Sequence, residues 1–322
     1  METVSAHDTL ARLRKEVARV VIGQDAVVNR LVIALLVRGH VLVEGLPGLA
    51  KTLVVKTLAQ AIDGTFKRIQ FTPDLLPADI TGTQIFDPAG RTFNARLGPI
   101  FANFILADEI NRAPAKVQSA LLEAMQERQV TIGDTSYRLP DPFVVIATQN
   151  PIEHEGTYNL PEAQVDRFVM KVKVDYPSPA EELRMLGLYL DPMKESVAVQ
   201  RVLSLDEIRT IAQLAARVHT DERIGRYIVQ LVSASRKPSD FRLPSLANHI
   251  AFGASPRATL ALAHVAKAHA FIEGREYVIP EDVKAIAHDV LRHRLVLSYE
   301  AAAESMTADR IIDQILGAVN VP

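Results

Sequence analysis

Val41-Leu42-Val43-Glu44-Gly45-Leu46-Pro47-Gly48-Leu49-Ala50-Lys51-Thr52 begins as a short apolar run, passes through spaced glycines and ends on a lysine beside a hydroxyl. Leu53, Val54, Val55 and Leu58 follow on a helical period that Asp63-Gly64 closes. Strand, glycine loop and helix stand in the order a phosphate-binding loop requires. Small residues let successive backbone N–H groups face phosphate oxygens, and the helix N-terminus adds partial positive charge. Gly45, Leu46, Pro47, Gly48, Leu49, Ala50, Lys51, Thr52 and Leu53 are therefore the expected nucleotide contacts. Lys51 would reach the β- and γ-phosphates, and the Thr52 hydroxyl would ligate Mg²⁺. Ala50 departs from the usual glycine before the lysine, where a methyl tightens the approach to phosphate. The ordinary structural alternative is a glycine loop that only turns a strand into a helix.

Outward from this loop, apolar runs alternate with helix-period segments, the pattern of a parallel sheet covered by helices. The expected strands are Val41–Val43, Arg68–Phe71, Phe104–Ala107, Phe143–Thr148 and Val169–Val174, with a helix over Lys116–Arg128. Tyr176-Pro177-Ser178-Pro179 ends the sheet, because its prolines cannot continue a central strand. Helix starts then recur: capping boxes at Ser178 with Glu181 and Ser204 with Glu207, a cap with N1 proline at Ser255-Pro256, and Pro280-Glu281-Asp282. This predicts an α/β domain over residues 1–176 and a smaller all-α domain over residues 177–322.

Phe104-Ile105-Leu106-Ala107 runs into Asp108-Glu109, a carboxylate pair at the edge of the sheet where open α/β folds bind ligands. Asp108 would hold Mg²⁺ or its water shell, and Glu109 would polarise the water that attacks the γ-phosphate. A solvated strand end capping Asn111-Arg112-Ala113-Pro114 is the plainer reading of the pair by itself. Asn150, at the tip of the next apolar run, could touch the same water, although Asn150-Pro151 is also a strong turn dipeptide. Arg167 before the last strand and Arg257 at a helix start are cations whose plainer reading is a solvated or ion-paired side chain.

The charge balance, 36 Lys+Arg against 38 Asp+Glu for a net −2, argues against a nucleic-acid coat protein. Zero cysteines exclude disulfides, thiolate zinc sites and cysteine nucleophiles. The apolar run Leu31–Val37 is far short of the ~18–20 residues of a membrane span, so no integral membrane segment is expected. Met1–Glu16 has scattered charges and no apolar core, so no signal peptide is expected and the location expected is cytoplasmic.

Together the motifs resemble one family closely, the AAA+ ATPases of the MoxR group. The resemblance rests on Val21-Ile22-Gly23-Gln24, Gly45 to Thr52, Leu106 to Ala113, Ala147 to Pro151, Gly156 to Gln164, Asp166-Arg167-Phe168 and Ser255-Pro256-Arg257, and Ala50 is typical of that group. It implies a P-loop AAA+ αβα sandwich followed by an all-α lid, with ATP and Mg²⁺ as cofactors. Ile22 and Gly23 would lie by the adenine, Asn150 would be sensor 1, Arg257 sensor 2 and Arg167 the arginine finger reaching a neighbouring subunit's nucleotide, with Arg112 as a rival. Such a finger calls for a homo-oligomeric ring, and the resemblance implies a hexamer. The resemblance also implies chaperone-like work on a protein client and partners with von Willebrand factor A domains. Thr83–Phe86 with Thr92–Ala95, and Gln129–Ile132 with Tyr137–Leu139 joined by Gly133-Asp134-Thr135-Ser136, read as hairpins that resemble the helix-2 insert and the pre-sensor hairpin. A nucleic-acid motor and a magnesium-chelatase-like motor share the layout. The net charge and the absence of a basic residue in that second turn weigh against nucleic acid.

Overall fold

Apolar runs bounded by turn residues become the strands of the computed structural model, which describes residues 3–46, 48–151, 156–190 and 198–322, the side chains of residues 188 and 189 excepted. Pro47, expected among the nucleotide contacts, lies outside the described residues. In chain order the first strands are β1 (Val41–Gly45), β2 (Phe66–Gln70), β3 (Gly82–Asp87), β4 (Thr92–Leu97), β5 (Phe104–Asp108), β6 (Gln129–Ile132), β7 (Thr135–Arg138), β8 (Val144–Gln149) and β9 (Met170–Val174). Five of them form one sheet in the order β2-β5-β8-β1-β9. The pairs β2–β5, β5–β8 and β1–β8 are parallel. Burial on both faces explains why these strands read as continuous apolar runs: Val41, Leu42, Phe104, Ile105, Leu106, Val145 and Ala147 are at most 1% exposed. Each large apolar side chain so buried contributes roughly 1.5–3 kcal/mol.

The register decides what meets at the carboxyl edge. Gln70 stands opposite Asp108, Ala107 opposite Ala147, and Glu44 opposite Gln149. The polar tips of neighbouring strands are thus level. The chain divides into two compact units, Met1–Leu160 with Val172–Thr210, and Pro161–Lys171 with Ile211–Pro322.

In the first unit, both hairpins form. Phe86 and Phe93 pair across β3–β4 with ring centroids 5.2 Å apart, both substantially exposed. The β6–β7 turn is tighter than the four residues expected: Ile132 pairs with Thr135, leaving only Gly133-Asp134 as the turn. Gly133 at φ +61° supplies the backbone that such a two-residue connection needs, so Thr135 and Ser136 join the strand. The capping boxes are local and form as their residues dictate. Ser178 donates from N and Oγ to Glu181 Oε2, each at 2.7 Å, and Ser204 does the same to Glu207 at 2.7 and 2.8 Å.

His40, just before β1, is buried and braces three elements. Its Nδ1 accepts the Val145 N–H at 3.0 Å while Nε2 lies 3.2 Å from the Met125 carbonyl. Only the neutral ring with the proton on Nε2 satisfies both partners. Burial, with the Arg128 charge, pushes its pKa down to about 4. The folded value is below the unfolded one of about 6.5, so this contribution is complete above pH 6.5 and is lost as pH falls towards 4. Denaturant unfolding of wild type against His40→Asn is expected to show wild type losing about 2 kcal/mol more between pH 7 and pH 5.

The second unit is built on the helices Glu222–Arg236, Pro256–Ile272, Pro280–Leu291 and Ala308–Ala318. Leu231, Leu262, Val265, Val283, Ile286, Ile311 and Ile315 are fully buried among them. Ser255 caps the second by accepting the Arg257 N–H at 3.2 Å. A short antiparallel ribbon, β10 (Ile250–Phe252) with β11 (Val296–Leu297), accompanies the helices. These strands are too short to show a period in the sequence.

Candidate nucleotide site

β1 delivers Gly45 to the carboxyl edge, and the helix Lys51–Ala61 starts directly after the loop. Gly48 takes φ +84° and a side chain there would meet nothing within 4 Å, so the space beside the loop at this point is open. Ala50 has φ +56°, so the departure from glycine acts on backbone conformation as well as on the approach to phosphate. A left-handed alanine costs roughly 1–2 kcal/mol. Lys51 Nζ donates to the Gly45 carbonyl at 2.6 Å, folding the ammonium back over the loop. Burial pushes its pKa down, and the carboxylates of Asp108 and Glu109 oppose that shift.

Asp108 ends β5 with both carboxylate oxygens engaged. Oδ1 accepts the Thr148 hydroxyl at 2.6 Å, and Oδ2 accepts Arg68 Nη2 at 2.6 Å and Nε at 3.0 Å. Thr148 Oγ1 in turn accepts the Glu109 N–H at 2.8 Å. One buried hydroxyl therefore fixes both acids. Glu109 takes φ +56°, which turns the chain out of the sheet into the single turn Ile110–Arg112. Its Oε2 accepts Gln70 Nε2 at 2.9 Å and pairs with Arg112 Nε at 3.1 Å. Fully buried Gln118 holds the following loop by donating to the carbonyls of Ile110, Ala113 and Tyr158. Asn150 is 8% exposed directly after β8. Ile22 and Gly23 lie between the helices Thr3–Ala18 and Asp25–Leu36, where a side chain at Gly23 would meet Glu181 Cδ at 2.9 Å.

The second unit holds the remaining pair. Arg167, partly exposed, has no side-chain hydrogen bond or ion pair among the described residues, while its neighbour Asp166 is heavily engaged. Asp166 Oδ2 accepts the Ser255 hydroxyl at 3.0 Å and lies 3.9 Å from Arg257 Nη1. Arg257 is 59% exposed.

Residues 40–170 match the ATPase family associated with various cellular activities (AAA), and residues 246–315 match the AAA lid domain. "Chaperone MoxR1" of Mycobacterium tuberculosis is 50% identical over 98% of this chain and 82% of its own length. "Protein MoxR" of Methylorubrum extorquens is 33% identical over 94% of this chain and 93% of its own. The chain belongs to the MoxR family of AAA ATPases. A crystal structure from Cytophaga hutchinsonii, described as a proposed ATPase, superposes with a TM-score of 0.94 at 49% identity, covering 99% of this chain and 97% of that one. Among the described residues no helix is long and apolar enough to cross a membrane.

For this MoxR-family chain, the fold brings Lys51, Thr52, Asp108, Glu109 and Asn150 to one sheet edge, and joins Arg167 and Arg257 through Asp166 in the other unit. Arg112, the rival inter-subunit arginine, lies on Glu109 of its own chain. Sequence reading missed Arg68, Gln70, Thr148 and Asp166 as site residues. Arg68 and Gln70 are two apart on one face of β2, so a polar pair at a strand end was the available signal, and only the pairing with β5 sets it beside the acids. Thr148→Val is expected to lower Mg²⁺-dependent phosphate release roughly 10–100-fold, since Asp108, the carboxylate expected to hold the ion, loses its hydroxyl partner. The same variant should unfold about 1–3 kcal/mol more easily, as read by denaturant titration.

Proposed function

We propose that this chain hydrolyses ATP to ADP and phosphate in the cytoplasm, within a homo-oligomeric ring, and uses the cycle to remodel or mature a protein partner. The observation that carries this reading is the placement of Lys51 after β1 and of Asp108 and Glu109 at the end of β5, at one edge of the same sheet, with Thr148 fixing both acids. The open space at Gly48 and the unpaired Thr52 hydroxyl among the described residues fit a phosphate chain and a hard cation. Thr52 and Asp108 would hold Mg²⁺, which when bound neutralises charge on the phosphate oxygens.

The protein supplies the rest. Backbone N–H groups of the loop cradle phosphate, Lys51 leaves the Gly45 carbonyl for the β- and γ-phosphates, and Glu109 accepts a proton from the attacking water. Gln70 and Arg112, both on Glu109 Oε2, hold that carboxylate until nucleotide arrives. Asn150 would orient the water, Arg257 would act as sensor 2, and Arg167 would reach a neighbouring copy's nucleotide in a hexamer. Ile22 and Gly23 would border the adenine. The name of the M. tuberculosis relative supports chaperone work, and von Willebrand factor A domain proteins are the proposed partners. The test is capture by the Glu109→Gln ring held in ATP. ATP-dependent enrichment of a protein carrying such a domain supports the proposal, whereas ATPase stimulation by DNA with no protein retained contradicts it.

A further inference from the structure

Three consecutive residues after the helix Pro280–Leu291 hold the backbone around Arg167. Arg292 Nη1 donates to the Lys171 carbonyl at 2.6 Å, and His293 Nε2 lies 3.0 Å from the Phe168 carbonyl. Arg294, 3% exposed, donates to Asp166 Oδ1 at 2.7 Å, to the Asp166, Phe168 and Val169 carbonyls at 3.3, 2.8 and 3.2 Å, and to the Val290 carbonyl. A buried guanidinium is tolerated only when paired and fully hydrogen-bonded, and the five bonds from Arg294 meet that condition. The other oxygen of Asp166 takes the Ser255 hydroxyl, and the Ser255 oxygen accepts the N–H of Arg257. One carboxylate thus stands next to Arg167 in sequence and two hydrogen bonds from the backbone of Arg257.

We infer that Asp166, clasped by Arg294, is a positioning residue that holds Arg167 and Arg257 as one rigid pair. The inference rests on the proposed function, in which both arginines reach nucleotide. Arginine geometry matters because a displacement of about 1 Å at a group acting on the transition state costs around 10²-fold in rate. Asp166 touches no nucleotide in this reading, so its loss should leave binding alone and lower turnover. Held as one pair, both arginines should act on the same site, the one that Arg167 serves in the neighbouring copy, so the loss of Asp166 should be felt there and not at the loop of its own chain.

Asp166→Asn is a fair probe of folding, because Arg294 keeps its four carbonyl acceptors. The expected result is a kcat lower by about 10–100-fold with KM for ATP within about twofold, and rings of unchanged size. Mixing Asp166→Asn with Lys51→Ala subunits should restore activity at about a quarter of the sites, those with an intact loop from one subunit and an intact finger from the next. Arg167→Ala mixed with Lys51→Ala is the control and should be rescued equally. Rescue of the control without rescue of Asp166→Asn would overturn the clasp and leave the finger standing. Failure of both, with rings intact, would remove the trans finger and the clasp together. Arg294→Lys, which keeps the charge but not the fork, should reproduce the kcat loss, and wild-type kcat in that variant would also overturn the inference.

Discussion

Glu109→Gln is expected to bind ATP with wild-type affinity and to hydrolyse it about 10²–10⁴-fold more slowly. The amide preserves the shape of the side chain and can still bond Gln70, but it cannot accept a proton from water. The backbone of Glu109 is held independently of its side chain, by the Thr148 hydroxyl on its N–H and by the Gln118 amide on the loop that follows. The substitution should therefore leave the strand end in place, and equilibrium binding of a fluorescent ATP analogue beside phosphate release separates the two effects. Loss of binding in parallel with turnover would show that Glu109 builds the site rather than acting in it.

Arg167→Ala is expected to bind nucleotide and assemble normally while losing about 10³–10⁵-fold in turnover, the range for an arginine that stabilises charge in phosphoryl transfer. The guanidinium of Arg167 forms no side-chain bond among the described residues, although its backbone is clasped through Asp166, Phe168 and Val169. A rigid backbone under an uncommitted cation suits a group presented to another molecule. Mixed with Lys51→Ala subunits, the variant should regain activity measured as phosphate release. Intact mixed rings without any gain would contradict a finger acting between copies.

Much of the fold was legible because it is carried by local signals. Buried parallel strands such as Phe104–Asp108 read as uninterrupted apolar runs, and Ser178 with Glu181 or Ser204 with Glu207 complete their hydrogen bonds within a single turn. The strand and helix on either side of the glycine loop were legible for the same reason. What escaped depends on register and distance. Gln70 reaches Glu109 only because β2 pairs with β5 so that Gln70 stands level with Asp108, and no local pattern in Phe66–Gln70 states that pairing. Asp166 and Arg294 are 128 residues apart, joined by packing alone. Ala50 shows a third kind of limit: its identity was plain, but its left-handed backbone was not.

Phosphate release per chain, followed as a function of chain concentration with Mg²⁺ and saturating ATP, tests whether ATP is hydrolysed at sites completed by a neighbouring copy. Turnover per chain should rise steeply over the concentrations at which rings form and then level off. A turnover that stays constant down to concentrations where only monomers are present would contradict it.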